Sequence, residues 1–153
     1  MSERNHPSII MWSIGNEIPG RNSPQGMQLQ WELANEVHRL HPTRPVTPGL
    51  NGFMGRPVTA SQKAARAGFA DVEDQMSTVF LDVAGYNYKL ADYEGDHRRF
   101  PRRILYGAES FAKDVVAVWN LTEQHPWLIG DFVWVAMDYL GEAGMGGCVV
   151  LTQ

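Results

Sequence analysis

The chain has 153 residues, of which 44% are hydrophobic and 20% are charged, a composition that fits one globular domain and excludes extensive disorder. Its net charge of −4 argues against a nucleic-acid partner, because phosphate binding needs clustered Lys and Arg. The single cysteine, Cys148, excludes both an internal disulfide framework and a zinc site built on cysteines.

The sequence also gives no sign of a membrane segment. No apolar run reaches the roughly 20 residues that span a bilayer, and residues 1–7 lack the apolar core of a signal peptide. We therefore predict no nucleic-acid or membrane partner. The cellular compartment stays open, because the lack of disulfides is compatible with a reducing cytosol but does not require one.

Five short apolar stretches predict β-strands, and each one ends in polar residues. They cover residues 7–17, 44–52, 78–88, 102–110 and 126–138. Each is apolar on both faces, which is typical of a parallel sheet covered by helices. An antiparallel sandwich would alternate apolar and polar residues more regularly.

Helices are predicted between the strands. Apolar residues recur at helical spacing in 24–42 and in 113–126, and each segment ends in His-Pro, which stops a helix. Shorter helices are expected at 61–67 and 90–101, and the basic run 97–103 is interpreted as the solvated end of a helix. The predicted apolar faces comprise Met27, Trp31, Leu33, Val37 and Leu40 in the first helix, and Val115, Val118, Trp119 and Leu121 in the other.

The alternation of strands and helices predicts an α/β fold with right-handed crossovers. Two architectures remain at this point, an open doubly wound sheet and part of a (β/α)8 barrel. No G-x-G-x-x-G turn follows the first strand, so a dinucleotide-binding fold loses its main support. Trp12, inside a strand, and Trp119, on a helix face, are predicted core residues.

Polar and aromatic residues collect at the predicted strand ends, where barrel enzymes carry their chemistry. These residues are Asn16, Glu17, Asn51, Tyr86 to Tyr88, Glu109, Trp134 and Asp138. One glutamate alone is better explained as a helix cap or an arginine partner. Two glutamates with amide and aromatic neighbours instead favour the paired carboxylates that cleave a glycosidic bond, one as acid and one as base or nucleophile.

Four motifs resemble one family in its own order. "NHPSIIMWSIGNE", "DVAGYNY", "ILYGAES" and "LIGDFVWVAMDYLGEAG" resemble the second half of the catalytic barrel of glycoside hydrolase family 2, the bacterial β-galactosidase group. The resemblance implies a partial (β/α)8 TIM barrel, about strands 4 to 8, as a parallel sheet with flanking helices. It covers residues 1–146 and leaves 147–153 as a divergent tail, and we expect the barrel to be truncated at both ends.

The resemblance also implies roles for individual residues. Glu17 would be the general acid/base and Glu109 the nucleophile of a retaining double displacement on β-D-galactosides. The expected substrate-binding residues are Asn16, Tyr88, Trp134, Asn87 and Asp138. Of these, Asn16 would bond the sugar 2-hydroxyl and Trp134 would stack beneath the sugar. Tyr88 would also orient Glu109. Tyr139 and Glu142 fall in the same loop as Asp138. No cofactor and no bound metal are expected.

The resemblance leaves three possibilities for the chain. It could hydrolyse glycosides once its sheet edges are covered by self-association, bind sugar without turnover, or complement a separate barrel half. We expect a carbohydrate substrate, and either a homo-oligomer or a complementing half that pairs with the exposed sheet edges.

Overall fold

A computed structural model describes residues 5–51 and 78–135 of the chain. The predicted helix at 61–67, residues Asp138, Tyr139 and Glu142, and the divergent tail all lie outside these ranges. The described part alternates strands and helices in the predicted order. Its elements are β1 (Trp12–Asn16), α1 (Pro24–Leu40), β2 (Val46–Asn51), β3 (Ala84–Asn87), α2 (Tyr93–Arg99), β4 (Leu105–Phe111), α3 (Val115–Gln124) and β5 (Leu128–Trp134). Short 3-10 turns at Leu90–Asp92 and Ala112–Asp114 precede α2 and α3.

The strands form one parallel sheet in the order β1-β2-β3-β4-β5. Sequential order with all strands parallel is the arrangement of a (β/α)8 barrel segment, whereas a doubly wound sheet reverses its strand order. The predicted fold class is therefore confirmed. Within the described ranges β1 and β5 are the two edges of the sheet, and each pairs on one side only.

The helix boundaries follow from local chemistry. Ser23 caps α1 by accepting a hydrogen bond from the Gly26 N–H at 3.0 Å, and Pro24 occupies the first turn, where no N–H is needed. The helix ends at Leu40, and His41 then stands before Pro42, a position that disfavours helical backbone. Helix α3 ends in the same way before Pro126.

The core lies between one face of the sheet and helices α2 and α3. It consists of Leu50, Ala84, Tyr86, Tyr93, Leu105, Val118 and Leu128. Because side chains alternate along a strand, the neighbours of these residues on β2, β3 and β4 point to the opposite face. That opposite face carries Gly49, Asn87 and Tyr106, and it meets the functional site at the strand ends.

Two predictions about tryptophans and helix faces need correction. Trp119, predicted to be core, is 56% exposed, because the residues of α3 that pack on the core are the buried Val118 and the partly buried Leu121. In α1 the buried residues are Gln30 and Ala34, whereas the predicted face residues Trp31 and Leu33 are exposed. Trp12 is only half-buried, with its ring 4.9 Å from that of His41.

The basic run 97–103 is solvated only in part. Helix α2 does end at Arg99, as predicted, but Arg103 is half-buried beneath the sheet. Its guanidinium stacks on Phe100, 4.1 Å from the ring centroid, and donates to the hydroxyl oxygens of Tyr86 and Thr78. Tyr86 in turn donates to the buried carboxylate of Asp96 at 2.8 Å. This arginine is therefore part of a structural network.

Candidate active site

Parallel pairing brings four of the predicted site residues to one edge of the sheet. Asn16 ends β1 and is followed by Glu17, while Asn87 ends β3 and pairs in register with Glu109 of β4. Residues that end parallel strands lie at the same edge of the sheet. Glu17 and Glu109, which are 92 positions apart in the sequence, therefore meet at this edge, and both side chains are half-buried.

Two asparagine amides connect the two carboxylates. The Nδ2 of Asn16 donates to Oε1 of Glu109 at 3.0 Å, and the Oδ1 of Asn16 accepts from Nδ2 of Asn87 at 2.9 Å. The same Nδ2 of Asn87 also donates to Oε1 of Glu17 at 3.0 Å. A continuous chain of hydrogen bonds therefore runs from one glutamate to the other.

The second oxygen of Glu109 is held by a tyrosine. The hydroxyl of Tyr88 donates to Oε2 of Glu109 at 2.8 Å, so each oxygen of this carboxylate accepts one hydrogen bond. Hydrogen bonds donated to both oxygens fix the direction of the carboxylate. The ring centroids of Tyr88 and Phe111 are 4.4 Å apart. Phe111 was not among the site residues predicted from the sequence.

Two site residues adopt backbone conformations that are unusual for residues other than glycine. Glu17 has φ of 48° and Tyr88 has φ of 55°, both in the left-handed region. Each conformation costs roughly 1–3 kcal/mol and persists only where neighbours enforce it. Here the Glu17 N–H donates to the Gly49 carbonyl at 2.9 Å and the Tyr88 N–H donates to the Glu109 carbonyl at 2.8 Å. Neighbouring strands thus hold both residues in place.

Gly49 makes room for the amide chain. A Cβ atom at this position would lie 2.0 Å from Oδ1 of Asn16 and 3.2 Å from Oδ1 of Asn87. Gly49 was not among the predicted site residues, although a glycine inside a predicted strand is a recognised sign that another group approaches the backbone closely.

The loop after Glu17 is anchored from two sides. Arg21 donates from Nη1 to the side-chain oxygen of Asn51 at 2.8 Å and from Nη2 to the Asn51 carbonyl at 2.7 Å. The Nε2 of Gln30, buried in α1, donates to the Arg21 carbonyl at 2.9 Å. Asn51 therefore fixes the loop. Arg21 itself gave no distinctive signal in the sequence.

Trp134 ends β5 and pairs in register with Phe111, which places it one strand beyond Glu109. Its side chain is half-buried, and the peptide bond between Trp134 and Val135 is cis. The structure thus brings this tryptophan to the same edge of the sheet as the two glutamates. The role predicted for Asp138 stays a prediction, since that residue is outside the described ranges.

A half-buried carboxyl, that of Asp131, lies behind the site on the helix-covered face. Ser110, next to Glu109, donates to Oδ2 of Asp131 at 2.6 Å. Burial raises the pKa of Asp131, and the hydrogen bond from Ser110 opposes that rise. Burial raises the pKa of Tyr93, and the nearby negative charge of Asp131 raises it further.

Among residues 5–51 and 78–135, no three His, Cys, Asp or Glu side chains are grouped so that they could hold a metal ion. Over the same residues, no helix combines the length and the apolar character needed to cross a membrane.

A parallel barrel segment with two glutamates at its strand ends is the arrangement found in many glycoside hydrolases. The model of the family described as "Glycosyl hydrolases family 2, TIM barrel domain" matches residues 1–143. The chain belongs to glycoside hydrolase family 2, as its motifs predicted.

Relatives within this family act on different sugars according to their names. The chain is 23% identical to the β-galactosidase BoGH2A of Bacteroides ovatus, over 93% of the chain and 24% of that protein. It is also 23% identical to the human β-glucuronidase, over 92% of the chain and 24% of that protein. A solved family 2 member from Bacteroides cellulosilyticus shares 40% identity with a TM-score of 0.73, over 90% of the chain and 17% of that structure. The chain thus spans about a quarter or less of the length of these relatives.

Proposed function

We propose that this chain carries the catalytic pair of a retaining β-glycosidase, with Glu17 as general acid/base and Glu109 as nucleophile. The observation that carries the proposal is the meeting of the two carboxylates at one edge of a parallel sheet, linked through Asn16 and Asn87. The hydrogen bond from Tyr88 to Oε2 of Glu109 supports the assignment of the nucleophile, because it fixes the direction of the carboxylate.

In this mechanism, Glu109 attacks the anomeric carbon while the bond from that carbon to the leaving oxygen breaks. Glu17 gives its proton to the leaving oxygen, and a glycosyl ester of Glu109 forms. Water then attacks the anomeric carbon, Glu17 takes a proton from that water, and the ester bond to Glu109 breaks. Asn16 would bond the sugar 2-hydroxyl, Trp134 would stack on the sugar ring, and Asp138 would contact a hydroxyl.

The substrate we propose is a terminal β-D-galactoside. The basis is the resemblance of "GYNY" at 85–88 and "DYLGEAG" at 138–144 to the β-galactosidase group. The galactosidase and glucuronidase relatives are equally similar to the chain, so sequence identity does not separate the two sugars. A glucuronide would require a cationic partner for its carboxylate, which a galactoside does not.

The primary test compares the parent chain with Glu17→Gln and Glu109→Gln on chromogenic β-galactosides and β-glucuronides. We expect Glu109→Gln to abolish turnover and Glu17→Gln to lower kcat by roughly 100- to 10,000-fold. Glu94→Gln is the matched control, because Glu94 is exposed on α2 and pairs only loosely with Arg98, at 3.8 Å. Equal turnover by the parent and Glu109→Gln would refute the assignment.

Retention has its own test. A 2-deoxy-2-fluoro-β-galactoside with a good leaving group should form a stable adduct, and the peptide containing Glu109 should carry the added mass. The first product released from an ordinary substrate should have the β configuration by proton NMR. An α product would show inversion, and would exclude the covalent role of Glu109.

We also propose that the sheet edges pair with other strands, from a second copy of the chain or from a complementing barrel half. Apolar side chains on edge strand β5 support this, since Ile129, Phe132 and Val133 are 49%, 57% and 42% exposed. Light scattering should show a particle larger than the monomer, and Phe132→Lys should reduce its size. A monomer that binds galactose in calorimetry without hydrolysing any galactoside would instead favour the alternative that the chain binds sugar without turnover.

A further inference from the structure

We propose that Asn87 is a positioning residue that holds the general acid/base Glu17 and couples it, through Asn16, to the nucleophile Glu109. This inference rests on the roles proposed above for the two glutamates. Its basis is the chain of three hydrogen bonds, each between 2.9 and 3.0 Å, that joins the four side chains.

The carboxylate of Glu109 decides how both amides are oriented. An ionised carboxylate only accepts hydrogen bonds, so Asn16 must turn its Nδ2 toward Glu109. Its Oδ1 then faces Asn87, and that acceptor requires a donor from Asn87. Because an amide nitrogen has two protons, Nδ2 of Asn87 can serve Oδ1 of Asn16 and Oε1 of Glu17 at the same time.

The opposite orientation of Asn87 is unfavourable. Turning its amide over would place Oδ1 about 3 Å from the carboxylate oxygen of Glu17 and from the amide oxygen of Asn16, two further acceptors. The hydrogen-bond network therefore assigns the amide without ambiguity. In this orientation Oδ1 of Asn87 is buried and accepts no hydrogen bond from the described residues. Among the described residues that acceptor stays unsatisfied, while the nitrogen stays on Glu17.

Burial separates the role of Asn87 from that of Asn16. Asn87 is 1% exposed, whereas Asn16 and both glutamates are accessible to varying degrees. Both protons of its Nδ2 are already engaged, so the donor is not free for a sugar hydroxyl. We therefore infer that Asn87 acts on the reaction through Glu17; the substrate-binding role expected from the sequence stays a prediction.

Coupling through the two amides is testable in the chain itself by NMR. In 15N-labelled protein, Glu109→Gln should shift the side-chain amide signals of both Asn16 and Asn87, because the acceptor that orients them has changed. The signal of Asn51, which is anchored by Arg21, serves as the internal reference. In an Asn16→Ala background, Glu109→Gln should no longer shift the Asn87 signal.

The inferred coupling is wrong if Glu109→Gln leaves the side-chain amide shift of Asn87 unchanged. It is also wrong if Glu109→Gln shifts that signal equally in the Asn16→Ala background. Should Asn16→Ala fail to fold, the same series of hydrogen bonds can be tested from Glu17, by a mutation at that end. Glu17→Gln should then shift the Asn16 signal in the parent and leave it in place in Asn87→Leu. A shift of equal size in Asn87→Leu would overturn the inference.

Kinetics test whether Asn87 acts through the general acid. Asn87→Leu should lower kcat/KM by roughly 10- to 100-fold for alkyl galactosides, whose leaving group needs a proton. It should have little effect on the dinitrophenyl galactoside, whose leaving group does not. Asn120→Leu, on an exposed position of α3, is the matched control and should not alter the ratio of the two substrates. Equal losses on both substrates would indicate a purely structural residue and overturn the inference.

The two proposals fail separately. A parent chain without any hydrolysis would contradict the proposed function, yet the amide signals would still report on the coupling. Full hydrolytic activity together with an unaltered substrate ratio in Asn87→Leu would remove this inference alone.

Discussion

The replacement Gly49→Ala tests the central geometry of the site with a single methyl group. The ideal Cβ would lie 2.0 Å from Oδ1 and 3.1 Å from Cγ of Asn16, well inside any normal contact distance. Asn16 must therefore turn away, since the new methyl group is fixed to the β2 backbone. In turning, it loses the hydrogen bonds to Glu109 and from Asn87.

The size of the effect follows from those two bonds. A hydrogen bond to a charged group contributes roughly 1.5–3 kcal/mol, and one between neutral groups roughly 0.5–1.5 kcal/mol. Asn16 is exposed, so water replaces part of what it loses, whereas the donor of buried Asn87 loses its partner. We expect the free energy of unfolding to fall by about 2 kcal/mol and Tm by about 4–8 °C. We expect kcat/KM to fall by roughly 10- to 100-fold.

Urea unfolding of the parent and the variant measures the stability change, and the chromogenic galactoside assay measures the activity. Gly95→Ala on α2 is the matched control, because the atom nearest to its Cβ would be Nη2 of Arg98 at 3.9 Å. That variant should be neutral or more stable by up to about 1 kcal/mol, through improved helix propensity. A Gly49→Ala variant that is as stable as the parent, with an unshifted side-chain amide signal of Asn16, would contradict this geometry.

Three further predictions concern the surroundings of the site. Tyr88→Phe, which removes the hydroxyl from Oε2 of Glu109, should lower kcat by roughly 10- to 100-fold and the free energy of unfolding by roughly 1.5–3 kcal/mol, because a part-buried hydrogen bond to a carboxylate is lost; an unaltered kcat would contradict a role for this bond in the reaction. Tyr86→Phe should reduce the free energy of unfolding by roughly 1–3 kcal/mol in urea, because Asp96 is buried and loses one donor; no change would contradict its structural role. Burial raises the pKa of Asp131, so the native state binds its proton more tightly than the unfolded chain does, and stability falls as pH rises from 3.8 through the raised value. Asp131→Asn should therefore be more stable than the parent at pH 7, with a gap that narrows in acid; urea curves at several pH values with a constant gap would refute this.

The sequence alone determined which segments are strands and helices, because those signals are local. Uniformly apolar runs predicted the five parallel strands, and the two His-Pro pairs predicted where α1 and α3 end. The location of Glu17 and Glu109 at the same edge of the sheet also followed from the sequence, since parallel strands bring their carboxyl ends to one edge.

The coverage of each helix face was decided by tertiary structure. A helical pattern predicts an apolar stripe, but which part of that stripe is covered depends on where the neighbouring elements lie. For that reason Trp119 and Trp31 are exposed, while Gln30, a polar residue, is buried against the loop that follows Glu17.

The hydrogen bonds that connect the side chains of the site were likewise decided by the tertiary structure. Strand register places Gly49 beside Asn16 and Asn87 beside Glu109, and no spacing in the sequence encodes such cross-strand neighbours. Hydrogen bonds between side chains that are 70 to 93 positions apart form only after the sheet has assembled. The sequence therefore specified the two glutamates that we propose as the reacting groups, and the tertiary structure specified how their amide neighbours orient and connect them.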